Sequence, residues 1–183
     1  MNIGRTSEVN ILFTNIGRRS YLVDFLKSNP NFEGKVFVSD CDKTASGLYS
    51  LNDGYFLLPK PVDDPELYVK TLIGLCIKKD IKIIIPIIDP EIPILSKYKK
   101  EFSRKGIYVL VSNQKVINIC NDKHKMNIFL KKNGFDTIIT YLDINAFKKD
   151  LYARKIHFPV FLKKRKGSGS EKAQRIDNMK KLE

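Results

Sequence analysis

The sequence has few of the residues that usually mark metal centres and disulfide frameworks. Its 183 residues include only three cysteines and two histidines. Cys41, Cys76 and Cys120 lie far apart without Cys-x-x-Cys spacing, and His124 and His157 are isolated. Sparse, unpaired cysteine is typical of proteins in reducing compartments. We therefore expect idle thiols, no metal site and a cytoplasmic location.

Long apolar runs are also missing. No stretch approaches the roughly 20 apolar residues that a membrane-spanning helix needs. The N-terminal residues MNIGRTSEVN are polar and lack the apolar region of a signal peptide. Hydrophobic residues still make up 43% of the chain, enough for a sizeable core. The composition predicts one globular domain, or one domain and part of another, with no membrane partner.

Acidic residues are outnumbered, 20 against 33 lysines and arginines, which gives a net charge of +13. Residues 147–183 hold twelve basic and four acidic side chains, so most of the excess lies there. Such a segment could bind phosphate, nucleic acid or an acidic partner. Nucleic acid is disfavoured, because aromatic residues do not interleave with the basic tail and no nucleic-acid-binding signature is present. After Glu171 apolar content falls, which favours a solvated, partly disordered tail.

Short apolar segments alternate with helical patterns through the first 120 residues. Strands are predicted at 10–14, 35–39, 55–58, 82–88 and 107–111, and helices at 20–27, 45–51, 64–79, 91–104 and 114–120. Asp64 and Pro65 form a favourable start for the helix at 64–79. This alternation predicts an α/β fold, with a Rossmann-like parallel sheet and helices on both faces.

The pattern changes after residue 121. Asp122 is placed to cap a helix over 122–132 that ends at Gly134. A strand at 138–141, a helix at 144–154 and a strand at 158–162 follow. We therefore predict two domains, residues 1–121 and 122–183.

The most informative segment is FPVFLKKRKGSGS at residues 158–170. An apolar strand leads into a turn in which four basic residues precede Gly167 and Gly169. Glycine accepts positive φ and lets backbone come close to a ligand. Successive backbone N–H groups in such a turn form a concave anion site. The combination favours a polyphosphate ligand.

A second group of polar residues follows the predicted parallel strands. Gly17, Arg18 and Arg19 come after the first strand, and Asp89 and Glu91 follow the strand at 82–88. Ligands of open parallel sheets bind outside these strand ends. The arginines suit a carboxylate or phosphate, and the two acids suit a substrate amine or the arginines themselves. The alternatives are a tight turn with solvated arginines, and a cap with the first turn of the next helix.

Asp40, at the end of the second strand, occupies the position at which a ribose-binding acid often lies. Only one glycine is present near Gly17, so a GxGxxG dinucleotide site is rejected. Asp40 could equally cap a helix or lie in a loop.

Taken together, four stretches resemble the N-terminal part of ATP-grasp enzymes, most closely proteins similar to the large subunit of carbamoyl-phosphate synthase. They are NILFTNIGRRSYLV, IIIPIIDPEIPIL, NDKHKMNIFLKKNGFDT and FPVFLKKRKGSGS. The resemblance covers about residues 10 to 175. It implies that residues 1–121 form a pre-ATP-grasp domain and that 122–183 begin a truncated ATP-grasp domain.

The resemblance also implies roles for individual residues. In that family the lysine of the Asp-Lys pair that opens the helix and the lysine that ends the FPVxxK strand contact ATP, and the glycine-rich loop covers its phosphates. The corresponding residues here are Lys123, Lys163, and Gly167, Ser168, Gly169 and Ser170. The resemblance gives the first domain a part in binding substrate, and the charges of the residues themselves suggest a small carboxylate or amino-acid-like molecule in contact with Gly17, Arg18, Arg19, Asp89 and Glu91. Family members use ATP and Mg²⁺ to convert a carboxylate into an acyl phosphate, which a nucleophile then attacks.

The family's hinge and Mg²⁺ ligands lie beyond the glycine-rich loop, and this chain ends at Glu183. We therefore expect the parent enzyme to be a ligase and this chain to be inactive alone, with its uncovered surface favouring self-association. The alternatives are a non-catalytic nucleotide- or small-molecule-binding module and, less favoured, a basic nucleic-acid-binding protein. Nucleotide binding without turnover would mark the first, and salt-dependent oligonucleotide binding the second.

Overall fold

The computed structural model describes residues 8–167, 169 and 172–182 of the chain. It divides into two compact units, the first ending at Gln114 and the second beginning at Lys115. Among the described residues, no helix is long and apolar enough to cross a membrane.

The first unit is a five-stranded sheet in which every strand pair is parallel. The strand order is β3-β2-β1-β4-β5. The strands are β1 (Asn10–Thr14), β2 (Val36–Asp40), β3 (Tyr55–Leu57), β4 (Ile81–Pro86) and β5 (Tyr108–Val109). The helices between them are α1 (Tyr21–Lys27), α2 (Pro65–Lys78) and α3 (Ile92–Arg104). The predicted α/β fold with a parallel sheet is confirmed.

Helices cover both faces of this sheet, as the alternating pattern predicts. Leu12 belongs to a buried cluster with residues of α2 and α3, and the next residue, Phe13, belongs to a second cluster with Val23 of α1. Successive side chains of a strand point to opposite faces. The two clusters therefore lie on opposite faces, and β1 is buried between them.

Several predicted boundaries shift, and for β4 the hydrogen bonds give the reason. β4 ends at Pro86 rather than residue 88, because the N–H groups of Ile87 and Ile88 donate to the Glu91 side chain. The helix predicted over 45–51 is a single 3₁₀ turn, Ser46–Tyr49. β5 keeps only Tyr108–Val109 of the predicted 107–111.

The second unit contains α5 (Lys123–Lys132), α6 (Ile144–Tyr152) and the antiparallel strands β6 (Val160–Leu162) and β7 (Gln174–Ile176). A further helix, α4 (Gln114–Cys120), begins at the last residue of the first unit and matches its predicted bounds. As predicted, Asp122 caps α5, and Gly134, with φ of 78°, lies just after the helix ends.

One prediction for the second unit is wrong, and a second is refined. Residues 138–141 form no strand, because their backbone has no strand partner among the described residues. The carbonyl of Ile138 instead accepts from the Asn127 side chain at 2.8 Å, and the Ile138 side chain is 78% exposed. The tail after Glu171 is not wholly irregular, because β7 pairs with β6 and buries Ile176 to 2% exposure.

Candidate functional site

The first group of candidate residues lies where β1, β2 and β4 end. From β1 the chain passes outward through β2 and β3, then crosses to β4 on the other side of β1. Such a reversal of strand order opens a crevice at the carboxyl ends of the strands, where α/β proteins bind ligands. Gly17, Asp40 and Glu91 all follow or end strands at this edge.

The turn after β1 is held by Asp40. The Gly17 N–H donates to Asp40 Oδ2 at 2.8 Å, and Asp42 N–H donates to Asp40 Oδ1 at 2.9 Å. The Gly17 carbonyl accepts from Gly47 N–H at 2.8 Å. Gly17 has φ of 56°, a conformation that glycine adopts without strain. Asp40 therefore organises this turn through both carboxylate oxygens.

Gly47 has no side chain because the turn leaves no room for one. A Cβ atom there would lie 2.8 Å from the Gly17 carbonyl oxygen and 2.8 Å from the Ile16 side chain. The close approach of two backbone segments thus fixes the position at which Arg18 and Arg19 emerge. Both arginines are exposed.

Glu91 is fully buried, and its carboxylate accepts from four donors. Oε2 accepts from Asn15 Nδ2 at 2.9 Å and from the Tyr68 hydroxyl at 2.6 Å. Oε1 accepts from the N–H groups of Ile87 at 3.0 Å and Ile88 at 3.3 Å. A buried carboxylate is tolerated only when its oxygens are satisfied in this way.

The Glu91 network favours the capping alternative over direct substrate contact. In the described part of the chain, no ion pair joins Arg18 or Arg19 to Asp89 or Glu91. Asp89 lies exposed on the 3₁₀ turn Asp89–Glu91. Burial, and next the charge of Glu91, raise the pKa of Tyr68 far above its usual value, so the phenol remains a donor.

Sequence reasoning missed Asn15 and Tyr68. Asn15 is buried and has φ of 50°, in the left-handed region that asparagine adopts more readily than most residues. It follows β1 directly, and that position is the one sequence signal that could have drawn attention to it. Tyr68 lies 23 residues before Glu91 on the buried face of α2, where it looks like any core aromatic.

The second group of candidates lies at the start of α5. The Asp122 side chain accepts from the N–H groups of His124 and Lys125, both at 3.1 Å. Arg165 Nε lies 2.9 Å from both carboxylate oxygens of Asp122. The Asp122 side chain is only 1% exposed. The hydrogen bond from Arg165 is the main cause that holds the pKa of Asp122 well below its usual range.

Lys123 reaches the glycine-rich segment through two contacts. Its backbone N–H donates to the Arg165 carbonyl at 3.0 Å, and its Nζ donates to the Gly167 carbonyl at 2.8 Å. The structure thus brings together two of the residues designated for nucleotide, Lys123 and Gly167, which are 44 positions apart. In the sequence, Arg165 is one of the four basic residues that precede Gly167, and nothing local marks it for this contact.

Lys163 follows β6, and its Nζ lies 5.6 Å from the centroid of the Phe161 ring. Both side chains are exposed. Gly167 and Gly169 have φ of 119° and 67°, so the positive φ expected of these glycines is confirmed. Ser168 and Ser170 lie outside the described residues.

The described residues contain no group of three His, Cys, Asp or Glu side chains placed to hold a metal ion. All three cysteines are free thiols. Burial raises the pKa of Cys76 to about 12, which makes this thiol unreactive.

Comparison with known families gives one match. A family model described as PylC-like, N-terminal domain, matches residues 11–110, more than half of the chain. No curated protein matches the sequence.

Solved structures with the same fold include three enzymes. A biotin carboxylase from Campylobacter jejuni, in a complex described as beta-gamma-ATP, is 20% identical, with a TM-score of 0.69 over 96% of this chain and 40% of that one. N5-carboxyaminoimidazole synthetase from Staphylococcus aureus is 17% identical, with a TM-score of 0.65 over 100% and 44%. An L-amino acid ligase from Bacillus licheniformis is 15% identical, with a TM-score of 0.65 over 97% and 41%. The chain thus spans about two fifths of the length of these structures.

Proposed function

Since the chain belongs to the PylC-like N-terminal domain family, we propose that it is the N-terminal portion of an ATP-grasp ligase. The parent enzyme would use ATP to activate a carboxylate as an acyl phosphate, in the manner of the large subunit of carbamoyl-phosphate synthase. The substrate would be a small carboxylate or an amino-acid-like molecule. The residues of this chain would bind ligands, and other parts of the parent enzyme would complete the reaction.

The observation that carries this proposal is the pairing of Lys123 with Gly167. A lysine ammonium at the start of α5 lies 2.8 Å from the backbone of a glycine-rich segment that also follows Lys163. Lysine is a compact cation that suits phosphate oxygens. Glycines at positive φ let backbone donors approach the same oxygens. These are the elements of a polyphosphate site, and they are supplied by one unit of the chain.

The chemistry that this site would serve is phosphoryl transfer. A carboxylate oxygen of the substrate attacks the γ-phosphorus of ATP, the bond to the β,γ-bridging oxygen breaks, and ADP leaves. The resulting acyl phosphate is then open to an amine, which displaces phosphate. Catalysis of such a step depends on positioning and on neutralising phosphate charge. Lys123 and Lys163 would supply that positive charge.

Mg²⁺ normally accompanies ATP in such reactions, and a biotin carboxylase domain of the same fold, from Hydrogenobacter thermophilus, was crystallised with MgADP. The described residues do not provide a cluster of metal ligands. The described residues therefore do not fit a magnesium site held by protein ligands alone, and none of them acts as a metal ligand in the steps above.

For the substrate we propose the turn after β1. Arg18 and Arg19 are exposed cations on a turn that Asp40 and Gly47 hold in place, which suits them to a carboxylate. Asp89, exposed beyond β4, would attract a substrate amine. Glu91 would act indirectly, by holding Asn15 and the residues that follow β4 in place.

Isothermal titration calorimetry with ATP, with and without Mg²⁺, tests the nucleotide half of the proposal. We expect the chain to bind ATP and the Lys163→Ala variant to bind at least about tenfold more weakly, because a charge-assisted contact with phosphate is lost. Lys155→Met removes one positive charge from an exposed pair in the same unit and serves as the control. Unchanged affinity in Lys163→Ala would refute the role of Lys163. No binding by the unaltered chain would refute an ATP site formed by this chain alone.

A further inference from the structure

A single buried carboxylate joins the start of α5 to the segment that leads into Gly167. The Asp122 carboxylate accepts hydrogen bonds from two backbone N–H groups of its own helix. Both of its oxygens also lie 2.9 Å from Arg165 Nε. The next residue, Lys123, donates its N–H to the Arg165 carbonyl and its Nζ to the Gly167 carbonyl. Residues 122 and 123 therefore hold both the side chain and the backbone of the segment 165–167.

The charge balance makes Arg165 important to this arrangement. The Asp122 side chain is almost completely buried, whereas the Arg165 side chain is 46% exposed. A buried carboxylate that loses its cation keeps the cost of desolvation without the compensating attraction. Removing Arg165 would therefore disturb Asp122, and with it the position of Lys123 relative to Gly167.

We propose that Asp122 and Arg165 are positioning residues for the polyphosphate site, an inference that rests on the proposed function. Together they hold the Lys123 ammonium beside the Gly167 backbone before the nucleotide arrives. An ammonium has three N–H donors. One is used on Gly167, which leaves two directed by the same geometry for phosphate oxygens. Such pre-organisation raises affinity because less freedom is lost on binding.

Arginine at position 165 is specified by the geometry of the contact. Its Nε lies at equal distance, 2.9 Å, from the two carboxylate oxygens. Lysine would keep the charge but lacks a rigid guanidinium group to present a donor in this position. Arg165→Lys should therefore keep only part of the effect that Arg165 has on the position of Lys123.

The test is a double-mutant cycle on nucleotide affinity. ATP and inorganic tripolyphosphate are titrated into the unaltered chain and into Arg165→Met, Arg165→Lys, Lys123→Met and the double variant Arg165→Met/Lys123→Met. We expect Arg165→Met to weaken both ligands about tenfold, with Arg165→Lys intermediate. If Arg165 acts through Lys123, its replacement should have less than about a twofold effect once Lys123 is already methionine.

A second readout separates positioning from a general loss of stability. Hydrogen exchange of the Lys123 amide, which donates to the Arg165 carbonyl, should quicken at least about tenfold in Arg165→Met, while core amides of α6 keep their rates. Lys155→Met, which also removes one cation from an ion pair in this unit, should change neither readout.

The outcomes separate the two hypotheses. If the unaltered chain binds ATP and Arg165→Met binds it equally well, or if its effect is the same with and without Lys123, the positioning role is refuted while the nucleotide site stands. If no chain binds ATP or tripolyphosphate, the nucleotide site fails and Asp122 and Arg165 are reduced to a structural pair, whatever the exchange rates show.

Discussion

Glu91 shows at the scale of a single residue how a side chain that the sequence suggests for substrate binding can instead be a buried structural group. From the sequence it is an acid at the end of a strand, suited to a substrate amine. In the structure it is fully buried and accepts four hydrogen bonds, including those of Asn15 and Tyr68. Through these bonds and those from the Ile87 and Ile88 N–H groups, it holds the two backbone segments that leave β1 and β4.

Glu91→Gln should therefore destabilise the first unit, although the two side chains have the same shape. All four partners of Glu91 are donors, so the amide nitrogen of glutamine would face at least one of them without an acceptor. An unsatisfied buried donor costs about 1–3 kcal/mol. Urea unfolding followed by far-ultraviolet circular dichroism would measure this change in free energy.

Asp89→Asn is the matched control, because Asp89 is exposed and lies two residues away. Its effect on the free energy of unfolding should stay within about 0.5 kcal/mol. Equal effects of the two substitutions would show that the Glu91 network does not contribute to stability as described.

At the scale of elements, the start of α5 depends on the ionisation of Asp122. The Arg165 hydrogen bond, together with the helix N–H groups, lowers the pKa of Asp122 in the folded chain. In the unfolded chain an aspartate side chain titrates at about pH 4. The stabilisation is therefore complete above that pH and is lost as the pH falls through the lower, folded value.

Asp122→Asn should accordingly lower stability most at neutral pH and progressively less as the pH falls below about 4. The measurement is the urea midpoint of the unaltered chain and the variant between pH 7 and pH 2. Asp136→Asn, at an exposed position in the same unit, provides the comparison. A difference between Asp122→Asn and the unaltered chain that did not narrow with acid would contradict the ion pair.

The elements that the sequence predicted well are those with strong local signals. β1 and α4 have the predicted bounds, and the caps Asp64 and Asp122 both accept backbone N–H groups. The strand predicted at 138–141 failed because Ile138 and Ile139 are apolar in sequence but have no pairing partner in the described residues. β7 was not predicted because two of its three residues are polar, and it forms a strand only by pairing with β6.

The same distinction holds for the candidate sites. Lys123 and Gly167 could be designated from the sequence through motif order, and the structure places them in contact. The pairing of Asp122 with Arg165 could not be predicted from the sequence, because 43 positions separate them and Arg165 is one of several neighbouring basic residues. Long-range pairing of this kind is fixed by the packing of α5 against the chain after β6, and no local pattern encodes it.

At the scale of the whole molecule, the predicted kinship with ATP-grasp proteins is confirmed by the family match and the shared fold. The specific likeness to carbamoyl-phosphate synthase and the division into residues 1–121 and 122–183 stay predictions. The chain spans about two fifths of the length of the solved structures that share its fold. We propose phosphate as the ligand of its basic C-terminal region, which Lys123 reaches through its contact with the Gly167 carbonyl.

Binding of ATP at the start of α5 and the segment after β6 is tested most directly by backbone amide shifts in a ¹⁵N-labelled chain titrated with ATP. We expect the largest shifts at Lys123, Lys163, Gly167 and their neighbours, and smaller ones in Lys163→Ala. The lysine-rich helix α3 carries Lys97, Lys99 and Lys100 and provides an internal comparison for non-specific attraction. Shifts as large on α3 as at Lys123 and Gly167, or no shifts at those residues, would show that ATP does not bind at this site.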